Sequence, residues 1–396
     1  MKNGWPVKPI AEIAKRSLGK MLDKAKNKGT PRPYLRNVNV RWFCFDLSDL
    51  LEMRFLDEES AKFTAVKGDV LICEGGYPGR AAIWEEDYPI HFQKAIHRVR
   101  FHEPERNEWF LYFLHYQEIT GQLRQYYTGT GIQHFTGEAL ARLQIPLPPL
   151  PEQRRIVGIL DEAFGGIATA KANAEKNLQN ARALFESHLQ AVFTQRGEGW
   201  VEKRLEEVCT FSSGGTPSKN NSSYWSGEIP WVSGRDMKSN RLFDSLLHIS
   251  RAAVDESSTR MAPAGSLLIL VRGMGLAHGA QIAELMVPCA FNQDIRAIHP
   301  EPNLIPQYLL FALRDRINSS DTALSNAAHG TLKIDTEELK SAIIRIPPKR
   351  DQERIVTTMD VLDEETQRLE SIYQRKLAAL DELKKSLLHR AFSGEL

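Results

Sequence analysis

The sequence predicts an α+β protein in which two globular domains alternate with two long helices, as two copies of one plan. Three observations predict this architecture: a segment that recurs about 200 residues later, a heptad-type apolar pattern behind each copy of that segment, and a mixture of strand-like and helix-like stretches in front of it. We expect the two helices to pack on each other as an antiparallel coiled coil, which makes the chain a pseudo-two-fold internal repeat. The predicted boundaries are 1–149 for the first globular domain, 150–196 for the first helix, 197–346 for the second domain and 347–396 for the second helix.

The repeat is clearest in a Pro-Pro segment that occurs twice. Residues 148–157 are PPLPEQRRIV and residues 347–356 are PPKRDQERIV, an offset of 199 residues that continues without a gap downstream. A period of this length indicates a duplicated domain pair rather than a solenoid. Both halves also begin with Gly-Trp, and a Gly-Thr-Pro follows in each, at Gly29-Thr30-Pro31 and at Gly215-Thr216-Pro217. Between these anchors and the Pro-Pro segments the halves diverge, which indicates two domains with one task and different specificities.

Each globular half mixes short strands with a longer helix. Apolar and β-branched runs indicate strands at 38–45, 69–73, 96–101, 266–271 and 294–298. Apolar periodicity indicates helices at 108–116 and 307–318. Lys67-Gly68-Asp69 and Ala264-Gly265-Ser266 have the composition of turns that lead into a buried strand.

The segment behind the second Pro-Pro pair predicts a helix of about 40 residues, or about 60 Å. Asp351 is a suitable N-cap, and neither Gly nor Pro occurs again before Gly394. Positions spaced alternately by four and three residues give the 3.5-residue period of a coiled-coil seam: Ile355, Met359, Leu362, Thr366, Leu369, Tyr373, Lys376, Leu380, Leu383 and Leu387. The equivalent seam of the first helix is richer in alanine: Ile156, Leu160, Ala163, Ile167, Ala170, Ala174, Asn177, Ala181, Leu184 and His188.

Small residues on one helix and large residues on the other favour direct pairing of the two helices. A domain inserted between them favours an antiparallel pair. The alternative is that each helix packs on its own globular domain.

Composition and charge exclude several classes of protein. The chain is 42% hydrophobic and 26% charged, as in ordinary globular proteins, and no apolar run approaches the ~18 residues of a membrane helix. Residues 1–9 lack the apolar core of a signal peptide, so we expect a cytoplasmic protein. Its four cysteines form no CxxC pair, which argues against a zinc ribbon. A net charge of +1 taken alone argues mildly against a protein that binds nucleic acid, because affinity for phosphate depends on Lys and Arg.

The motifs of common catalytic sites are missing from the sequence. There is no GxxxxGK[ST] loop, no GxGxxG behind a strand, no Asn-Pro-Pro-aromatic tetrapeptide and no HExxH. His91, His97 and His102 lie close together in the sequence, but their surroundings fit a strand better than a metal site. We therefore expect no catalytic residue and no metal ligand in this chain.

Glycine-rich loops that also carry arginine, aromatic or amide side chains recur in both halves, at 74–80, 128–134, 271–276 and 328–333. Glycine lets a backbone approach phosphates, and Arg, Lys, Asn and Gln side chains can read base edges in the major groove. One such loop alone is more often a plain surface turn, but the recurrence favours DNA binding. The candidates in the first domain are Arg36, Asn37, Tyr77, Arg80, Lys94, Gln133 and His134. The candidates in the second domain are Thr216, Ser218, Trp231, Arg235, Arg272, Asn292, Gln293, Thr331 and Lys333.

These features together resemble the specificity subunits of type I restriction-modification systems, over essentially the whole chain. The segments that carry the resemblance are 147–157, 388–396, 34–40 with 67–71, and 214–218 with 229–232. The first two resemble the family's conserved helix start and chain end, and the others resemble the starts of its target-recognition domains. One departure is Phe92-Gln93-Lys94-Ala95, which stands where the second domain has Phe291-Asn292-Gln293-Asp294.

The resemblance implies a division of labour among subunits. Each target-recognition domain reads one half of a split, asymmetric site in double-stranded DNA, and the helices set the spacing and bind two methyltransferase (modification) subunits. S-adenosylmethionine, ATP and Mg²⁺ are then expected in the modification subunits and in the motor and nuclease (restriction) subunits, and no cofactor in this chain. We place the partner contacts at the repeated helix ends, on Leu189, Phe193, Leu388 and Phe392.

Two other functions remain open. A self-contained methyltransferase or nuclease is disfavoured by the missing motifs, and methyl transfer by the purified chain would indicate it. A coiled-coil scaffold with two protein-binding domains differs in DNA binding: only a reader retains DNA specifically in its complex and releases it at high salt.

Overall fold

The computed structural model describes residues 4–23, 26–195, 197–273, 276, 279, 281–318, 324–326 and 332–396. Its backbone contacts divide the chain into two compact units. The first unit is Met1–Glu175 with Gln374–Leu396, and the second is Lys176–Tyr373. Each unit therefore contains one globular domain together with parts of both long helices.

The globular domain of the first unit is built on two four-stranded sheets, ordered β2-β9-β6-β7 and β4-β3-β8-β5, while β1 pairs with β10. The strands are β1 Val7–Pro9, β2 Ala14–Leu18, β3 Thr30–Leu35, β4 Leu51–Phe55, β5 Thr64–Ala65, β6 Val70–Cys73, β7 Ala81–Ile83, β8 Ile90–Phe92, β9 Ile96–Phe101 and β10 Gln144–Pro146. The helices are α1 Ile10–Ile13, α2 Ser60–Phe63, α3 Arg106–Ile119, α4 Gly137–Arg142 and the long α5 Leu150–Thr194. Only β3 and β8 pair in parallel within these sheets.

The second globular domain repeats this topology, with sheets ordered β12-β20-β17-β18-β14 and β15-β13-β19-β16. The strands are β11 Val201–Arg204, β12 Cys209–Ser213, β13 Ile229–Val232, β14 Arg241–Leu242, β15 Leu247–Ile249, β16 Met261–Ala262, β17 Leu267–Leu270, β18 Ile282–Leu285, β19 Cys289–Phe291, β20 Ile295–Pro300, β21 Leu324–Asn326, β22 Leu332–Ile334 and β23 Ile343–Ile346. The helices are α6 Leu205–Val208, α7 Arg251–Glu256, α8 Pro306–Asn318, α9 Thr336–Ser341 and the long α10 Lys349–Ser393. The parallel pair recurs as β13 with β19, so the mixed α+β fold and its duplication are confirmed.

Central strands of the two domains come from uninterrupted apolar runs. β6 (VLIC) and β17 (LLIL) have every side chain buried, because each lies between two other strands. Gly68 and Gly265 precede these strands with φ of 87° and 82°, a backbone conformation that favours glycine. The predicted turns at 67–69 and 264–266 are therefore confirmed.

The predicted strand at 38–45 is wrong. This segment is a turn held by one isolated bridge between Val40 and Phe45. Asn39 is buried, and its side chain accepts from the Arg36 amide and donates to the Asp46 and Asp49 carbonyls. These side-chain bonds compete with a strand ladder, which the apolar composition alone does not reveal.

The two long helices begin and end at positions that differ by the repeat offset, 150 and 349 at the start and 194 and 393 at the end. Asp351 is not the N-cap of α10, because the helix begins at Lys349 and the Asp351 amide donates to the Pro348 carbonyl. The helices run antiparallel in each unit. In the first unit Lys171 pairs with Asp381, and in the second Arg182 Nε donates to Glu370 Oε1 over 2.6 Å.

The predicted seam loses its register towards the end of each helix. Ala174 and Ala181 of α5 are still buried, but beyond them the buried face includes Phe185 and Leu189, while the predicted Leu184 is 66% exposed. Beyond Leu380, the equivalent of Ala181, Leu383 of α10 is exposed and Leu388 is buried. A straight helix repeats every 3.6 residues and drifts away from a strict 3.5-residue pattern, so the buried positions move on by one.

Both expected packing modes occur at the helix ends. Ile156, Val157 and Leu160 of α5 join the core of the first globular domain, and so do Leu388, Ala391 and Phe392 of α10. Among the described residues, no helix combines the length and the apolar character needed to cross a bilayer.

Candidate nucleic-acid interface

The loop at 74–80, between β6 and β7, organises one end of the first domain. It is tight: the Gly79 amide donates to the Cys73 carbonyl over 2.9 Å. Gly76 and Gly79 have φ of 77° and 84°. A Cβ atom on Gly76 would lie 2.2 Å from Asn37 Nδ2, so this glycine also permits the close approach of the neighbouring segment.

Asn37, Tyr77 and Arg80 meet at this loop. The Asn37 side chain donates to the Gly75 carbonyl over 3.0 Å, and Arg80 Nη2 donates to the Asn37 carbonyl over 2.9 Å. The guanidinium carbon of Arg80 lies 3.8 Å from the centre of the Tyr77 ring, a cation–π stack. Tyr77 is 53% exposed, so this stack presents an aromatic and cationic surface to solvent.

His134 and Lys94 lie next to the same loop. His134 Nδ1 is 3.1 Å from both carboxylate oxygens of Glu74, and the Glu74 amide donates to the Ala95 carbonyl beside Lys94. Gln133 precedes His134 and is exposed, as is Lys94. We call Asn37, Tyr77, Arg80, Lys94, Gln133 and His134, together with Glu74, the first loop cluster. Glu74 was missed from the sequence, where nothing marks it as the partner of a histidine sixty residues away.

Arg36 is directed away from this cluster. Its guanidinium donates to the Asp49 side chain over 2.6 Å and to the Asp49 carbonyl over 2.8 Å. The ion pair fixes the turn at 36–49, and the arginine is therefore engaged within the protein.

The second domain brings together Thr216 and Gln293, whose side chains are hydrogen-bonded over 2.5 Å. Asn292 follows β19, and its amide donates to the Val232 carbonyl at the end of β13. Arg272 joins them, because the preceding Val271 amide donates to the Asp294 carbonyl and Arg272 itself bridges Lys333. Arg272 and Gln293 are exposed. The candidate Thr331 lies outside the residues that the structure describes.

Two tryptophans shape an adjoining groove of about 750 Å³. Trp231 is buried, and its indole N–H donates to the Gly215 carbonyl over 3.1 Å, so its role is to hold the glycine turn. Trp225 stands edge-on to it with ring centres 5.0 Å apart and donates to the Ser218 carbonyl. The groove is lined by Lys219, Ser222, Trp225, Trp231, Ser233, Arg235, Leu246 and Leu247. We call Thr216, Ser218, Arg235, Arg272, Asn292, Gln293 and Lys333, with this groove, the second loop cluster.

The two clusters share one backbone frame. In the first domain the Gln93 amide donates to the Leu35 carbonyl, and in the second the Asn292 amide donates to the Val232 carbonyl. In the same way the Glu74 amide donates to the Ala95 carbonyl, and the Val271 amide donates to the Asp294 carbonyl. The Arg36 amide is held by Asn39 as the Ser233 amide is held by Asp236. Equivalent positions therefore carry different side chains, Lys94 in one domain and Gln293 in the other.

The predicted equivalence of the two Gly-Thr-Pro segments is wrong. Gly29 packs on the Phe55 carbonyl at the end of β4, as Gly227 packs on the Ile249 carbonyl at the end of β15. The counterpart of Gly215 is Lys20, since both donate their amides to the last residue of a strand, Phe291 and Phe92. The two Gly-Thr-Pro tripeptides therefore lie at structurally different positions of the two domains.

The four residues expected to contact partners are buried in their own units. Leu189 and Phe193 belong to the core of the second unit, and Leu388 and Phe392 to that of the first. Phe392 packs against Trp109 with ring centres 4.7 Å apart, and Phe193 against Tyr308 at 5.5 Å. These side chains anchor the helix ends, and their contact with another subunit stays a prediction.

Burial shifts the pKa values of three of the four cysteine thiols and of two histidines. Burial raises the pKa of Cys73 and of Cys289 to about 11 and of Cys209 to about 12, so these thiols are protonated and weakly nucleophilic at neutral pH. Burial lowers the pKa of His91 to about 4 and also lowers that of His97. Within the described ranges, no group of three or more His, Cys, Asp or Glu side chains is placed to hold a metal ion.

Comparison with known proteins gives several related chains. The model of the type I restriction modification DNA specificity domain matches residues 2–178 and again 197–376. The EcoR124I/EcoR124II specificity subunit of Escherichia coli is 33% identical over 228 residues, which are 56% of this chain and 55% of that protein. The MjaIX specificity subunit of Methanocaldococcus jannaschii is 25% identical over 168 residues, 42% of this chain and 38% of its own length. These two matches span about half of the relative or less, whereas the EcoKI specificity subunit of E. coli K12, 22% identical, matches over 100% of this chain and 90% of its own.

Solved structures share the fold. A chain from a study of complex assembly and conformational transition of the type I R-M system has a TM-score of 0.78 at 22% identity, covering 100% of this chain and 99% of its own. The HsdS subunit from Thermoanaerobacter tengcongensis has a TM-score of 0.58 at 21% identity, covering 100% and 98%. The doubled family match, the duplicated topology and the paired helices agree: this chain belongs to the family of type I restriction-modification DNA specificity subunits.

Proposed function

We propose that this chain reads DNA for a type I restriction-modification complex and that each globular domain contacts one half of a bipartite, asymmetric site. The chain acts without an active site of its own. Methyl transfer with S-adenosylmethionine, and translocation and cleavage with ATP and Mg²⁺, belong to partner subunits in the cytoplasm. The long helices set the distance between the half-sites and recruit the methyltransferase subunits.

The observation that carries the proposal is a common backbone frame with different side chains at the ends of its loops. Base reading needs exposed donors and acceptors on a rigid support. The first loop cluster offers the exposed Tyr77 and Lys94 with the partly exposed Arg80 stacked on Tyr77, and the second offers the exposed Arg235, Arg272 and Gln293. Two readers that differ at equivalent positions favour two different half-sites.

Partner recruitment is proposed for the exposed faces of the helices.

The chain has a net charge of only +1, so phosphate neutralisation by this subunit alone is limited. Strong DNA binding is therefore expected of the assembled complex.

The test is methylation mapping of the complex formed with its methyltransferase subunit. We expect methylated adenines in a two-part motif whose halves differ. Replacing Tyr77 and Arg80 by alanine should relax one half, and Gln293→Ala the other, with about 10- to 100-fold weaker discrimination at the affected positions. Lys67→Ala, an exposed lysine paired with Asp87, serves as the control.

A palindromic motif would contradict the two-reader proposal. So would a loss of both halves on changing one domain. Methylation by the purified chain alone would show that it is an enzyme, and a complex that does not retain DNA at low salt would be a scaffold.

A further inference from the structure

Two ion pairs between the long helices lie at equivalent positions of the repeat, one in each unit. Lys171 of α5 pairs with Asp381 of α10 in the first unit, and Arg182 of α5 pairs with Glu370 of α10 in the second. At the repeat offset of 199 residues, position 171 is equivalent to 370 and position 182 to 381. The same two positions are therefore both positive on α5 and both negative on α10.

This arrangement of charges bears on which helices pair. If α5 paired with α5 of a second copy in the same antiparallel register, Lys171 would face Arg182 of the second copy, twice over. If α10 paired with its own copy, Glu370 would face Asp381 of the second copy. Each like pairing thus replaces two attractions by two repulsions.

The apolar anchors do not distinguish these pairings. Leu189 is equivalent to Leu388 and Phe193 to Phe392, and each phenylalanine packs on an aromatic residue at an equivalent position, Tyr308 or Trp109. Within the anchor region, position 185 of α5 is phenylalanine where α10 has Lys384, which lies over the Phe43 and Phe164 rings. A phenylalanine among those rings is an apolar replacement and brings no repulsion.

The ion pairs are partly open to water. The side chains of Lys171 and Glu370 are 31% and 26% exposed, and those of Arg182 and Asp381 are 56% and 54% exposed. One such pair contributes little to stability. Their contribution to selectivity is larger, because the sign of the interaction reverses at two places at once.

We infer that Lys171, Arg182, Glu370 and Asp381 form a pairing code, which joins α5 to α10 and rejects the pairing of either helix with its own copy. These charges therefore make the first half of the chain pair with the second half rather than with its own copy, although both halves share one fold.

The test uses the full chain, folded and then cut at a protease site inserted between Gly197 and Glu198. The cut protein is unfolded in urea and refolded, and native mass spectrometry counts mixed and like pairs of the two pieces. For the parent charges we expect more than about 90% mixed pairs. The variant K171E/D381K keeps both original contacts attractive but makes the like pairs attractive too, so we expect mixed pairs to fall towards about 50%, the random value.

The matched control reverses all four charges together, as Lys171→Glu, Arg182→Glu, Glu370→Lys and Asp381→Lys. It restores one sign on each helix, and we expect mixed pairs to return to the parent level. The inference is overturned if K171E/D381K gives the same share of mixed pairs as the parent. A control that forms like pairs as readily as that variant would overturn it as well.

Discussion

Gln153 and Gln352 show how two equivalent residues perform the same task with different numbers of bonds. Both are buried at the start of a long helix and donate to a proline carbonyl, Pro148 or Pro347. Gln352 also donates to the Asn303 carbonyl and accepts from the Ile305 amide, which ties α10 to the loop in front of α8. The glutamine is thus a connector rather than a reader.

We expect Gln352→Ala to lower the free energy of unfolding by about 2–3 kcal/mol, because it removes three hydrogen bonds to backbone groups, one buried and two part-buried. The equivalent Gln153→Ala removes one bond and should cost about 1 kcal/mol. Urea unfolding of the two variants is the measurement, and each serves as the control for the other. Equal losses would contradict this assignment.

Buried histidines make the first unit sensitive to acid. His115 packs between Trp42 and Phe43, and burial lowers its pKa to about 3, as it lowers that of His91 to about 4. The unfolded chain takes up these protons near pH 6.5, whereas the folded chain does so only at lower pH. The contribution of these histidines to stability is therefore fully present above pH 6.5 and is lost as the pH falls towards 4.

His115→Phe fills the same space and does not titrate. We expect this variant to lose less stability than the parent between pH 6.5 and 4, by on the order of 2 kcal/mol. Thermal unfolding across that range measures the difference, and parallel curves for parent and variant would refute it. The equivalent position of the second unit is Arg314, which does not titrate in this range.

At this scale the sequence marked candidate loops and residues but not what each side chain does there. Residue type marks Trp231 and Arg36 as candidate base readers. Their indole N–H and guanidinium instead bind Gly215 and Asp49 of the same domain. Such assignments depend on contacts between distant segments, which spacing along the chain does not contain.

At the scale of elements, the helix ends form part of the domain cores. The segment at 388–396 resembles the family's conserved chain end, where we expected partner contacts, but its Leu388, Ala391 and Phe392 are buried in the first unit. Its removal should therefore unfold part of that unit rather than only weaken assembly.

We expect Phe392→Ala to lower the free energy of unfolding by about 3–5 kcal/mol, through lost burial and the cavity left beside Trp109. Leu383→Ala on the same helix, at a side chain that is 47% exposed, is the control and should cost less than about 1 kcal/mol. Denaturant unfolding gives both values. Partner affinity measured on the folded fraction should be unchanged, and a selective loss of affinity would restore the direct-contact interpretation.

Helix existence was predictable because Pro-Pro starts and uninterrupted apolar periodicity are local signals. The seam loses its predicted register only beyond Ala181, since the register there depends on how straight the helices remain. The misplaced strand at 38–45 has a similar cause: one buried Asn39 organises a turn that composition alone does not show.

At the scale of the whole molecule, α5 and α10 have 45 residues each, or about 68 Å of helix. In the proposed function this length sets the gap between the half-sites. Because pairing joins 171 to 381 and 182 to 370, equal segments can be removed from both helices without breaking the remaining pairs.

Deleting 172–178 together with 374–380 should shorten the recognised gap by about three base pairs, since seven helical residues span about 10 Å. The half-sites themselves should stay the same, as methylation mapping would reveal. Deleting only 172–178 is the control, and we expect it to destabilise the protein by shifting every later pair. An unchanged gap in the double deletion would show that the helices do not act as the spacer.

The backbone frame shared by the two loop clusters has a consequence for evolution. Its hydrogen bonds at Gln93 and Asn292, and at Glu74 and Val271, run through main-chain atoms and do not depend on the side chains they carry. Substitutions at the exposed loop positions are therefore nearly neutral for folding. Under the proposed function, a lineage can acquire a new target sequence by point mutation or by gene exchange in one domain, while the other domain keeps its inherited preference.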